Sequence, residues 1–244
     1  MAVVNVREVD GVGVITLDDP LHRNAITLAL AEELVAAVDE LQADPSVCAL
    51  VLTGAGSTFC AGADRQLLAV AGESALKAIY AAFLHVRRCS LPTVAAVNGP
   101  AVGAGLNLAL ACDLRVAAAS ADFDARFVRI PIHPGGGCSW MLRELAGPQT
   151  AAALILFGAR VDGAQAVRIG LAWDCVPDDR LLSTALGICA VAAGAPRDLV
   201  AQIKSTLAAA TAWENHDEAL EYELREQLSS MQAAAFLDAF AGLR

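Results

Sequence analysis

Two glycine-bearing loops carry the residues whose types and spacing could do chemistry. In residues 92–117, PTVAAVNGPAVGAGLNLALACDLRVA, an apolar β-branched run breaks at Asn98-Gly99-Pro100 and resumes with helical spacing after Gly103. Gly103 and Gly105 let backbone approach a ligand closely. The first turn of a helix presents unpaired N–H groups at the positive end of its dipole. This strand, turn and helix start is therefore suited to a bound anion or to an oxyanion that develops during a reaction. A second glycine loop, Phe59-Cys60-Ala61-Gly62-Ala63-Asp64, precedes it.

Several side chains could titrate or hydrogen-bond near these loops. His133 stands just before Pro134-Gly135-Gly136-Gly137, and histidine is the natural proton carrier near neutral pH. A lone histidine beside a turn is nonetheless more often a structural hydrogen bonder. Glu73, Tyr80 and His85 lie in a helical stretch with no motif of their own. Asp64 and Asp113 suit capping or loop fixing, and Cys60 suits buried packing. Asp124 and Arg126, if their segment is extended, point away from the face that Phe127 takes.

The elements that must hold these groups alternate between strand and helix. Residues 3–9 and 12–17 read as strands joined at Asp10-Gly11, a hairpin signal. A helix over 26–41 follows, with Thr27 as N-cap and Leu30, Leu34, Val38 and Leu41 on its apolar face. Residues 48–53, 93–97 and 114–117 are short continuous apolar runs, the mark of strands buried on both faces. Residues 66–88 read as helix interrupted near Gly72, and 119–137 as irregular. Beyond Ser139 the pattern is helical, with strand character near 172–176. The whole predicts an α/β fold with a helical appendage, divided at Gly194-Ala195-Pro196 into a core, 1–193, and a C-terminal region, 194–244.

Composition narrows the partners. The chain has 244 residues, 56% hydrophobic and 18% charged, so apolar surface must be covered and self-association is expected. A net charge of −10 repels phosphate backbones and speaks against nucleic acid. The start, MAVVNVREVDG, lacks the apolar centre of a signal peptide. The apolar stretches 93–112 and 181–195 are respectively interrupted by polar residues and too short to span a membrane. Seven cysteines without a C-x-x-C pair point to no metal site and to a reducing, cytoplasmic compartment.

Four segments, HRNAIT at 22–27, FCAGAD at 59–64, AVNGPAVGAGLNLALACDLRVA at 96–117 and FVRIPIHPGGGCSWML at 127–142, resemble the crotonase (enoyl-CoA hydratase/isomerase) superfamily in content, order and spacing. The resemblance covers nearly the whole chain. It implies a spiral of ββα units with a C-terminal helical trimerisation region, packed as a homotrimer or a dimer of trimers. It also implies a coenzyme A thioester as substrate or ligand, with no covalently bound cofactor.

By the same resemblance, two backbone N–H groups, of Ala61 and Ala104, form an oxyanion hole for a thioester enolate, with Gly103 beside the second. Coenzyme A then lies along Arg23, Ala25, Ala63, Asp64 and Arg65. The two glutamates used by hydratases fall at Asn107 and Phe127, and an aspartate of some relatives falls at Gly135. Asparagine and phenylalanine cannot exchange a proton near neutrality, so ordinary hydration is not expected. Two classes follow: an enzyme doing other enolate chemistry, in which His133 could take part, and a non-catalytic acyl-CoA carrier. A nucleotide-binding oxidoreductase, suggested by Gly103-x-Gly105 and the downstream Asp122 and Asp124, is set aside because Leu108 occupies the third small-residue position.

Overall fold

The protein is described here by a computed structural model covering residues 3–241. The chain begins with β1 (Val4–Val9) and β2 (Val12–Leu17), then α1 (Leu28–Ala43), β3 (Ala49–Gly54), α2 (Arg65–Val70) and α3 (Glu73–Arg88). β4 (Thr93–Val97), β5 (Pro100–Val102), α4 (Ala104–Ala111), β6 (Leu114–Ala118) and β7 (Asp122–Asp124) follow. The second half holds α5 (Cys138–Ile155), β8 (Arg160–Asp162), α6 (Gly163–Arg168), β9 (Asp174–Val176) and α7 (Leu181–Ala193). Last come α8 (Arg197–Ala209), α9 (His216–Ser230) and α10 (Ala234–Ala239).

Six strands form the main sheet in the order β1-β2-β3-β4-β6-β9. Asp10 and Gly11, both at positive φ, turn the β1–β2 hairpin, and every later pairing is parallel. Alternation within the strands divides two cores. Ile15, Leu17, Leu50, Leu52, Ala95 and Val97 face a large core shared with α1, α3 and α4. Val12, Val14, Ala49, Val51, Val94 and Ala96 face a second core closed by Leu181, Ala185 and Cys189 of α7. Burial on both faces is why these strands read as unbroken apolar runs.

A smaller sheet, β5-β7-β8, stands apart from the first. The sequence reading of 119–137 as irregular misses β7, and β8 is likewise unforeseen. Each has three residues, too short for a period-two pattern to register. Two further boundaries differ. α1 starts at Leu28, where the Thr27 hydroxyl accepts from the Leu30 amide at 3.1 Å. α5 is broken at Gly147 (φ 79°), beside Pro148.

Gly194, Ala195 and Pro196 separate α7 from α8. α8 is tied back to the core by Lys204, whose Nζ lies 2.7 Å from the Leu91 carbonyl and 2.7 Å from Asp113. Beyond α8, α9 packs on α8.

Candidate active site

The two glycine loops lie side by side because backbone hydrogen bonds hold them together. The Cys60 amide donates to Pro100 O at 3.1 Å, and the Val102 amide donates to Cys60 O at 3.0 Å. On its other side the same loop is tied to the segment before α1, with Ile26 N donating to Gly62 O at 2.7 Å and Asp64 N to Ile26 O at 2.9 Å. The approach is close enough to require residues without a side chain. A Cβ on Gly105 would lie 2.2 Å from Cys60 O, and one on Gly62 (φ 97°) would lie 2.6 Å from Val102 O.

This geometry revises one site assignment. The Ala61 amide donates to Arg23 O at 3.0 Å, so it is not free to hold an oxyanion. Two residues on, the Ala63 amide makes no hydrogen bond among the described residues; nor does that of Ala104, the first residue of α4. A Cβ on Gly62 would stand 3.5 Å from Ala104 N, so the two free donors border one small space. The motif alone could not distinguish Ala61 from Ala63, because what occupies the Ala61 amide is a carbonyl 38 residues away in sequence.

Asn107 lies one turn into α4 and is 2% exposed. Its Nδ2 donates to Gly135 O at 2.9 Å, while Oδ1 is shut from solvent and has no partner among the described residues. An unmet buried acceptor of this kind costs about 1–3 kcal/mol until a donor reaches it. Phe127 is half-buried at the start of a 3-10 turn, Phe127–Arg129, entered through Arg126 at φ 58°. The segment is therefore not extended. Asp124 is fully buried, and its Oδ2 accepts from Arg126 Nε at 3.0 Å, Arg126 Nη2 at 2.8 Å and Arg129 Nη1 at 3.3 Å.

The remaining candidates divide into structural and exposed groups. Asp64 caps α2, accepting from Leu67 N at 2.8 Å, and Asp113 accepts from Thr93 N at 2.8 Å. His85 pairs with Asp39 at 2.7 Å, and Glu73 with Lys77 at 2.6 Å. His133 is exposed, and its Nδ1 lies 2.7 Å from the Pro134 carbonyl. Burial pushes the Cys60 thiol up to about 12, so it is protonated and no nucleophile at neutral pH. Arg23 and Arg65 are exposed, Arg65 at the start of α2, while Ala25 is buried and Ala63 and Gly103 are half-buried. Tyr80 lies on α3 and is half-buried. Here its ring stands against Gly135, and its centroid lies 5.8 Å from that of Phe83.

The family model for enoyl-CoA hydratase/isomerase matches residues 7–240. The chain belongs to this family. Among enoyl-CoA hydratase/isomerase relatives, it is 46% identical to a probable enoyl-CoA hydratase, EchA14, of Mycobacterium tuberculosis over 92% of this chain and 91% of that protein. Its fold matches the crystal structure of an enoyl-CoA hydratase from Bacillus anthracis with TM-score 0.93 and 29% identity, covering 99% of this chain and 95% of the other. A monofunctional enoyl CoA isomerase from M. smegmatis matches with TM-score 0.77 and 32% identity over 90% of this chain and 99% of that one. The fold is thus the crotonase α/β fold with a helical C-terminal region.

Proposed function

We propose that the space between the two glycine loops takes the thioester carbonyl of an acyl-CoA, and that the amides of Ala63 and Ala104 stabilise its enolate. The observation that carries this is the pair of unpaired N–H groups on loops held together by backbone hydrogen bonds. When a base takes the α-proton, the electron pair of the C–H bond moves to the thioester oxygen. Two fixed donors at that oxygen stabilise the charge, each worth about 3 kcal/mol. Arg23, Ala25, Asp64 and Arg65 then run along the coenzyme A moiety, with the arginines exposed where phosphates would lie.

Asn107, Phe127 and Gly135 carry no ionisable side chain, which argues against ordinary hydration; isomerisation then needs another group to take the α-proton and return it at the γ-carbon, the part assigned to His133. The same three residues favour a second reading, a fatty acyl-CoA carrier that keeps the pocket without turnover. We read residues 1–193 as the acyl-CoA-binding core, 194–244 as the helical region through which copies assemble into trimers, and the compartment as cytoplasmic.

The test pairs calorimetric binding of butyryl-CoA with two turnover assays, hydration of crotonyl-CoA and isomerisation of 3-hexenoyl-CoA to its 2-enoyl form. Binding with isomerisation and with hydration below about 1 s⁻¹ supports the reading. Hydration at rates usual for enzymes overturns the part assigned to Asn107 and Phe127, and binding without turnover selects the carrier. Ala104→Pro removes one donor while leaving a residue that helices accept at their first position. Isomerisation should then fall by about 10²- to 10³-fold; an unchanged rate would remove Ala104 from the oxyanion hole.

A further inference from the structure

Asp124 stands between the second glycine loop and the turn that begins at Phe127. Its backbone belongs to β7, in register with Val102 of β5, and its carbonyl accepts from Gly103 N at 2.9 Å. Gly103 immediately precedes Ala104, so this bond anchors the chain just before one proposed oxyanion donor.

The Asp124 side chain serves the other segment. Its carboxylate is fully buried, and Oδ2 accepts from Arg126 Nε and Nη2 at 3.0 and 2.8 Å and from Arg129 Nη1 at 3.3 Å. Arg129 Nη2 also reaches Gly158 O, which braces the clasp from the loop before β8. Arg126 lies at φ 58°, ψ −14°, and the Phe127 amide turns back across it to Ala125 O at 2.8 Å. This left-handed conformation is costly for any residue with a Cβ and free for glycine. Two N–H bonds from the guanidinium to a buried carboxylate offset that cost. Asp124 Oδ1, by contrast, is buried with no partner among the described residues. Stability alone favours a carboxylate with both oxygens met, so this one is better explained by what it holds.

We propose that Asp124 is a positioning residue, which joins the oxyanion loop, through Gly103, and the Phe127 turn, through Arg126, into one rigid unit. It acts through these neighbours rather than on the substrate. Opening the clasp frees the turn, and with it the end of β7 from which Gly103 is held. The assignment rests on the reading of Ala63 and Ala104 as oxyanion donors and adds what keeps the second of them in place.

Acetoacetyl-CoA tests this without requiring turnover. Its α-carbon, between two carbonyls, gives a proton to the buffer, and the enolate left behind absorbs in the ultraviolet. Oxyanion donors lower the pH at which the bound thioester enolises, so the midpoint of that absorbance reports on them. Asp124→Ala should raise the midpoint by about one pH unit, a tenfold loss in the enolisation equilibrium. Butyryl-CoA should still bind within about threefold of wild type. Asp124→Ala/Arg126→Gly should recover most of the shift, because glycine takes the left-handed turn without the clasp. Packing lost at Asp124 would not be repaired by removing a second side chain. If circular dichroism shows Asp124→Ala unfolded, Arg126→Ala opens the clasp from the other side and should raise the midpoint alike. A midpoint unmoved in the folded single variant, or unrestored by glycine at 126, overturns the proposal and leaves the oxyanion reading intact. A wild type that binds butyryl-CoA but leaves the acetoacetyl-CoA midpoint at its value in free solution overturns both.

Discussion

At the residue scale, the proposed loss of hydration rests on Asn107 and Phe127. Asn107 reaches Gly135 O from α4, and Phe127 opens the 3-10 turn that follows Arg126. If both stand beside the acyl chain in place of carboxylates, restoring the carboxylates should restore the chemistry. The double variant Asn107→Glu/Phe127→Glu is expected to raise crotonyl-CoA hydration over wild type by about 10² or more, since each positioned acid–base group typically contributes about 10²–10⁴. Unchanged hydration in a variant that still binds butyryl-CoA would show that these positions do not face the thioester. Residue types at motif positions were legible in the sequence, but hydrogen-bond bookkeeping was not. Ala61 and Ala63 carry the same side chain, and what separates them is the Arg23 carbonyl that takes up one amide and leaves the other. Tyr80 was equally opaque, because its neighbour Gly135 comes from a loop after β7 and no local pattern links them.

Between elements, one asparagine fixes the loops along which coenzyme A is proposed to lie. Asn24 is fully buried at φ 55°, and its Nδ2 donates to Thr58 O at 2.7 Å and Ala55 O at 3.0 Å. Its Oδ1 accepts from Asp19 N at 2.9 Å, closing the turn on its own side. The turn before α1 and the loop after β3 are thus joined through one side chain. Asn24→Ala would strand those carbonyls and place alanine in the left-handed region, at a combined cost of about 2–4 kcal/mol. Chemical denaturation should show that loss, and butyryl-CoA affinity should fall with it. A variant of wild-type stability would mean that water replaces the amide at no cost. Elements of this size were where sequence reading worked. β1 to β4, β6 and α1 each carry enough apolar residues at one period to declare themselves. β5, β7 and β8 do not; each has three residues and is held by its sheet neighbours, whereas β9, equally short, lies within the stretch 172–176 already read as strand-like.

For the whole molecule, the question is what covers the apolar surface that a chain of 18% charged residues cannot avoid exposing. Much of that surface is organised. Leu220, Leu224 and Leu228 recur every four residues on α9 and are 51%, 57% and 52% exposed, although α9 already packs on α8. On α8, Ile203 and Leu207 are exposed as well. Far along the chain, Phe157 and Trp173 are likewise exposed, so one molecule presents more than one apolar area. Repeated, helix-borne ridges of this kind gain stability by burying one another, at about 25 cal/mol per Å² of apolar surface. If copies assemble through 194–244 as trimers, sedimentation equilibrium should return about three times the 25.2 kDa chain mass at micromolar concentration. Leu224→Glu/Leu228→Glu, which places two carboxylates in the ridge, should shift the mass toward the single chain. The variant's circular dichroism should keep its helical signal, because neither leucine belongs to either sheet core. A wild type that sediments as a monomer would refute assembly, and a variant that remains trimeric would remove the α9 ridge from the contact.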